Sequence, residues 1–359
     1  ADLRRVIADE QQSSARRIDA LLDAATVEDW CEDYEQAESL VGGARQLVGS
    51  DADPLHAARL ALARGRVDFR KSRIDEAIAE LTLAAELAEA LGDAGYETRV
   101  ISLLLLAPLL GMTGHADRSL PLFDTLFALC REHSDRIHLA TALLNRPFVW
   151  IETQQFDKLR EDLEHVIAMS RTVGFPLLEA RARYNLGEIA YLQGEFDEAE
   201  RHTSTVIELE RELGGDNQRV LVTQLLTARS RARRGEIAEA RAIVAAIRDR
   251  QAEARAAVRT GFELMPSDEV LCRMVELSCD GGDTDAWAEL LARSEEDSVQ
   301  QEHIEVLELA GLAAARRGAN DEAYCTLARA LALTDTTPTM LRPRIEAALR
   351  EIASRRAAG

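Results

Sequence analysis

Lysine is nearly missing from this sequence: Lys71 and Lys158 stand against 41 arginines in 359 residues. That bias suggests a GC-rich bacterial source. Aromatic residues make up 4%, and 20 glycines with 8 prolines are too few for an all-β sandwich or a collagenous chain. Cysteine is sparse, odd in number and scattered (Cys31, Cys130, Cys272, Cys279 and Cys325), with no Cys-x-x-Cys. A disulfide framework is therefore not expected, and a reducing cytoplasm is. The longest apolar run, Ile101 to Leu110, is broken by Ser102 and Pro108 and is about half a membrane span. No basic-then-apolar leader opens the chain. Positive charge is outweighed, 43 basic against 63 acidic residues, for a net charge of −20. That balance excludes a general nucleic-acid or anionic-membrane binder, which needs a basic face. The phosphate-loop, dinucleotide, nucleophile-elbow and HExxH zinc signatures are all missing, so no catalysis, cofactor or metal is expected.

What the sequence does contain is a repeat. The phrase Gly194-Glu195-Phe196-Asp197-Glu198-Ala199 returns most clearly as Arg73-Ile74-Asp75-Glu76-Ala77, Gly235 to Ala240 and Gly318 to Ala323. Weaker copies end at Ala37, Ser119, Leu159 and Trp287. Taken as register marks, the final residues fall at 37, 77, 119, 159, 199, 240, 287 and 323, in steps of 36 to 47 residues. A fixed period of this length signals stacked supersecondary units. Each unit reads as two helices: an apolar-periodic stretch, a Gly or polar turn, then a helix that opens with acids suited to its dipole. Four and seven residues past the marks lie mostly apolar, often small side chains on one helical face. Gly65, Gly187 and Gly311 stand twelve residues before their marks, inside a helix. A glycine there costs about 1 kcal/mol against Ala and is kept where a neighbour must come close.

These residues resemble the tetratricopeptide repeat (TPR) family over about residues 17 to 333, most strongly at Ala182 to Glu210. The step is nearer 40 than the family's usual 34, a long variety that resembles the sensor arrays of MalT- and AfsR-type bacterial signalling regulators. The resemblance implies an all-α, right-handed α-solenoid of about eight helical hairpins. HEAT and armadillo solenoids share the period, but the Gly-x-Φ-Asp-Glu-Ala phrase favours TPR. Residues 1–333 are expected to form the array and 334–359 a C-terminal capping helix. A hinge is expected near 261–267, where the step is longest and Pro266-Ser267-Asp268-Glu269 looks like a fresh helix start. The chain opens Ala-Asp-Leu-Arg-Arg, without Met and already in helical rhythm. It reads as a fragment or processed chain, with a covalent N-terminal effector domain missing.

The resemblance also implies a concave surface lined by the first helix of each unit, which usually holds a peptide or partner helix. Residues 18, 15, 11 and 7 or 8 before a mark form one stripe, placed inward by the resemblance. In the second unit the stripe holds Arg59, Leu62, Arg66, Phe69 and Arg70, and in the fourth Thr141, Leu144, Phe148, Ile151 and Glu152. The fifth supplies Arg181, Tyr184, Glu188, Tyr191 and Leu192, the sixth Val222, Leu225, Arg229, Ala232 and Arg233. Arginines here can grip carboxylates or phosphates with bidentate forks, or serve as ion-pair partners and solvated surface. Asn145 and Asn185 stand in register 40 residues apart. Several TPR families clamp a peptide backbone with such asparagines; the alternative is an Asn satisfying a helix carbonyl.

Other features read as structural. Nine arginines in 229–259 face 14 acids in 263–308, which reads as attraction between adjacent units or a docking site. Cys130, His133 and His138 do not match zinc-site spacing, Cys272 and Cys279 read as packing residues, and Trp30, Trp150 and Trp287 read as core plugs. The function expected is non-catalytic: the sensor or scaffold part of a bacterial cytoplasmic regulator, binding a peptide or protein segment. A self-assembly module, hence an oligomer, is the alternative, and a phosphatase-type TPR enzyme a weaker one.

Overall fold

The computed structural model describes residues 2–49, 53–215, 218–258 and 261–358. Among the described residues every regular element is a helix and no strand occurs. The chain divides into two compact units, residues 1–153 and 154–359. Unit 1 contains α1 (Asp2–Ala8), α2 (Ser14–Trp30), α3 (Tyr34–Leu47), α4 (Pro54–Arg70) and α5 (Ile74–Glu89). It continues through a 3-10 turn (Gly92–Gly95) to α6 (Tyr96–Met112), α7 (Ala116–Glu132), α8 (Arg136–Asn145) and α9 (Pro147–Glu152). Unit 2 contains α10 (Phe156–Val173), α11 (Pro176–Gln193), α12 (Phe196–Glu212), α13 (Gln218–Arg234) and α14 (Ile237–Ala256). Then follow α15 (Pro266–Asp280), α16 (Thr284–Asp297), α17 (Gln300–Arg316), α18 (Asn320–Leu333) and α19 (Arg342–Ala358).

The repeat phrase is the corner of a helical hairpin. All eight register residues are the fourth residue of a helix, namely α3, α5, α7, α10, α12, α14, α16 and α18. Every one is buried. Five residues before each mark the backbone turns left-handed: Glu32, Ser72, Gly114, Gln154, Gly194, Gly235, Gly282 and Gly318 have φ between 26° and 87°. At six of these corners the next residue donates its N–H to the carbonyl five back, as Glu195 does to Ala190 and Arg73 to Asp68. This Schellman geometry ends the first helix and aims the chain into the second. The acids that follow sit in the first turn of the new helix.

Within each unit, the positions four and seven past the marks form the seam of the hairpins. Leu81, Phe123 and Leu327 are fully buried, as are Ala44, Ala84, Leu126, Val206 and Ile247. At Gly65 a Cβ would come within 2.7 Å of Leu81 Cγ, and at Gly311 within 2.7 Å of Leu327 Cγ, so those glycines let the second helix close in. Among the described residues, helix α6 lies within the one stretch, Gly92–Met112, that is apolar and long enough to cross a membrane; two thirds of that window is buried in the protein. Its place between α5 and α7 in unit 1 explains the hydrophobicity.

In unit 2 the first and last hairpins meet. Tyr191 and Leu192 of α11, Ile304 and Leu307 of α17, Leu341 just before α19 and Ile345 within it share one core cluster. The irregular segment before α15 is anchored in a second cluster by Phe262 and Leu264.

Candidate functional site

Helices α2, α4 and α6 are first helices of successive hairpins in unit 1. Counted from Ala37, the stripe offsets pick out Asp19, Leu22, Thr26, Asp29 and Trp30. Within unit 1 the structure sets these against the second repeat's stripe, 40 or 41 residues on. Arg59 forks to Asp19 and to Asp23, the latter at 2.6 Å, and His56 Nε2 lies 3.1 Å from Asp19. Arg66 Nη1 donates to Thr26 Oγ1 at 3.3 Å. Arg70 Nε donates to Asp29 at 2.8 Å and rests 5.5 Å from the Tyr34 ring centre. Between the helices runs a trough of about 550 Å³, lined by Leu22, Asp23, Thr26, Val27 and Trp30 of α2 and by Leu55, Arg59, Leu62, Ala63 and Arg66 of α4. Ala94, Glu97, Thr98 and Ile101 complete it. Apolar floor and scattered polar groups make a surface suited to an elongated segment with mixed side chains.

Trp30 corrects the sequence reading. Trp150 and Trp287 are buried as expected, but Trp30 is 72% exposed, the last residue of α2, standing over the trough rather than plugging a core. The α2 lining was missed because the first repeat phrase is degenerate; the same offsets applied to Ala37 would have found it.

Asn145 and Phe148 lie elsewhere in unit 1. Phe148 is exposed on α9. Asn145 donates from Nδ2 to the Leu104 carbonyl at 3.4 Å. Pro108, inside α6, has no N–H to offer that carbonyl, so the Asn145 amide occupies a vacancy created by the proline. This is the helix-carbonyl alternative rather than a free amide. Asn185, in unit 2, is half-buried on α11 and makes no hydrogen bond through its side chain among the described residues.

In unit 2 the stripe residues turn to one another. Arg229 is 4% exposed and forks to Glu305 of α17, and the Tyr191 hydroxyl donates to the same carboxylate. The Arg229 guanidinium lies 4.4 Å from the Tyr191 ring centre. Arg233 pairs with Glu308, which also receives Arg344 Nη2 of α19 at 2.8 Å. Arg344 Nη1 reaches the carbonyls of Tyr191 and Leu192 at 3.1 and 3.3 Å. Arg229 and Arg233, expected on an open stripe, are thus consumed by the fold, because the stripe of the eighth repeat brings Glu305 and Glu308 against them. Burial opposes the charges, but Arg229 and Arg233 hold Glu305 below the ordinary carboxylate range. Around this network Glu188, Asp268 and Glu302 find no such fork; burial raises all three, Glu302 to about 7. Tyr184 is raised likewise by burial; Arg181 keeps much of its surface in solvent, and partial desolvation of its charge, with Arg219 nearby, lowers its pKa.

The opposed charge blocks are likewise paired within unit 2, Arg241 with Asp280 and Arg248 with Glu269 and Glu276. His138 meets Asp135 at 2.6 Å, Tyr96 donates to Asp135 at 2.9 Å, and His133 stacks on Tyr96. Burial pushes the Cys130 thiol up to about 11. No metal-holding group of His, Cys, Asp and Glu occurs among the described residues.

No family model and no curated protein sequence matches this chain. Solved structures do. The chain is similar to the crystal structure of a Rap protein complexed with competence and sporulation factor (TM-score 0.70, 14% identity, 93% of this chain and 90% of that one). It is similar to NprR in complex with its cognate peptide NprX (TM-score 0.58, 13% identity, 93% and 92% covered). The apo form of the quorum sensor NprR from B. thuringiensis also matches (TM-score 0.55, 13% identity, 96% and 89% covered). At these identities the likeness shows the fold, which is all-α and TPR-like.

Proposed function

We propose that this protein is a peptide- or protein-segment-recognition array, the sensor or scaffold part of a bacterial cytoplasmic signalling regulator. The observation that carries the reading is the unit 1 trough, an open, mixed surface made by the first helices of successive hairpins. The likeness to NprR in complex with its cognate peptide, and to a Rap protein complexed with competence and sporulation factor, supports it. Arg59, Arg66 and Arg70 stand in or beside that surface. Phe148, Arg181, Tyr184, Asn185 and Glu188 remain candidates on their own units, while Asn145, Tyr191, Arg229 and Arg233 act as structural supports. The 334–359 segment acts as the capping helix of the array, and the hinge near 261–267 is part of the same proposal. Limited proteolysis that first cuts the chain elsewhere and leaves 261–267 intact would remove the hinge.

Recognition is tested by panning random peptides, with free ends and inside a carrier loop, on the intact chain. Binders that give a calorimetric heat and protect α2, α4 and α6 from amide exchange are the expected result. A chain that retains no peptide in either format is not a recognition array.

A further inference from the structure

One arginine in the unit 1 trough makes no ion pair among the described residues. Arg59 meets Asp19 and Asp23, and Arg70 meets Asp29. Arg66 lies between them on the same stripe, and its one hydrogen bond among the described residues goes to the neutral Thr26 hydroxyl. Its guanidinium is half-buried, and that burial draws its pKa down, partly offset by Asp29. A cation drawn out of water with no carboxylate in direct contact gains most from an anion brought by a ligand, since charge-assisted forks are about twice as strong as neutral hydrogen bonds.

The surroundings restrict what bears that anion. Asp23 and Glu97 also line the trough, and the chain carries a net charge of −20, so an acid-rich ligand is repelled. One carboxylate on a largely apolar segment fits; an acidic tract does not. Trp30 lies about one helical turn beyond Thr26 on α2, lines the same trough, and is largely exposed. A ligand chain that seats a carboxylate on Arg66 therefore continues past it over the indole, which makes the carboxylate a side chain rather than a chain end.

We propose that the trough docks a segment of a partner protein carrying a single Asp or Glu beside an apolar side chain, the carboxylate forked by Arg66 and the apolar group laid on Trp30. This rests on the peptide-recognition reading and names its ligand class. The probe is a random heptapeptide library held inside a carrier loop, with no free terminus. Selected peptides are then synthesised with both ends capped and titrated against the intact chain by calorimetry and Trp fluorescence, with Trp30→Phe as the signal control. The expected result is one acidic residue in each binder, with a loss of ~10-fold or more on changing it to Gln. Arg66→Gln should cause the same loss, and the two changes together no more than either alone. Binders indifferent to Arg66→Gln, binders with no acidic residue, or binding that requires a free C-terminus overturn this assignment while leaving peptide recognition in place. No binder in any format removes both.

Discussion

The same stripe of first-helix positions has opposite fates in the two units. In unit 1, Arg59 and Arg70 stay partly exposed while pairing with acids one repeat earlier, and leave a trough beside them. In unit 2, Arg229 and Arg233 pair with Glu305 and Glu308, two repeats later, and the network they form is buried. Residue type does not decide between a binding surface and an internal cross-link. The decisive factor is whether a complementary side chain within the unit reaches the same point. Arg66, whose partner is only a hydroxyl, marks the boundary between those outcomes.

The largest expected effect comes from breaking the buried network. Arg229→Met leaves Glu305 in the interior without its main counter-charge, and should cost about 3–5 kcal/mol. Arg59→Ala, at a partly exposed pair, should cost about 0–1 kcal/mol. Urea denaturation read by amide exchange on α4, α13 and α17 would measure both locally. The double change Arg229→Met with Glu305→Met should recover most of the loss, because both charges then go together; equal costs for the two single variants would erase the contrast between units.

A middle-sized effect follows from pH. The folded chain holds the Glu302 proton more tightly than an unfolded chain does, its pKa being raised from 4.5 to about 7. The stability linked to that proton is complete below the ordinary carboxylate range and is lost as pH rises through about 7. Glu188 and Asp268 act in the same direction. Glu305 acts oppositely: its stabilisation is present above the ordinary range and is lost in acid. Glu302→Gln should therefore add about 1–2 kcal/mol at pH 8, after allowance for its partial exposure, and nothing near pH 4. Melting curves across that range test it, and a stabilisation equal at both ends would contradict the assignment.

The smallest effect concerns the corners. Ser72 holds φ at 58° without being glycine. Ser72→Gly should be neutral to about 1 kcal/mol stabilising, strain relief being offset by the extra freedom of the unfolded chain. Gly194→Ala, with φ at 87°, should cost about 1 kcal/mol instead. Thermal melts of the pair would show whether the two units tolerate the same corner equally.

How far the sequence could be read follows from the reach of each interaction. The hairpin is local: corner, mark and seam lie within a dozen residues, so the marks placed all eight second helices. The trough is one step longer, since Asp19–Arg59 and Thr26–Arg66 are spaced by the period itself. It was half visible, and only because the first copy of the phrase is degenerate was the α2 side overlooked. The unit 2 network lies beyond that reach. Arg229–Glu305 spans 76 residues and Tyr191–Glu305 spans 114, and no periodicity says that those turns of the array meet. Asn145 was hidden for another reason: its acceptor is orphaned by a proline on a different helix.

The left-handed corner has a consequence for how such a chain can change in length. Because the left-handed residue stands five before the mark in all eight repeats, the variation of the step from 36 to 47 has to be absorbed in helix length or at the links between hairpins. Inserting a reporter or a recognition loop into this protein should therefore succeed at those outer links, whereas a single added residue at a corner would rotate the following helix by about 100° and turn its seam away from its partner.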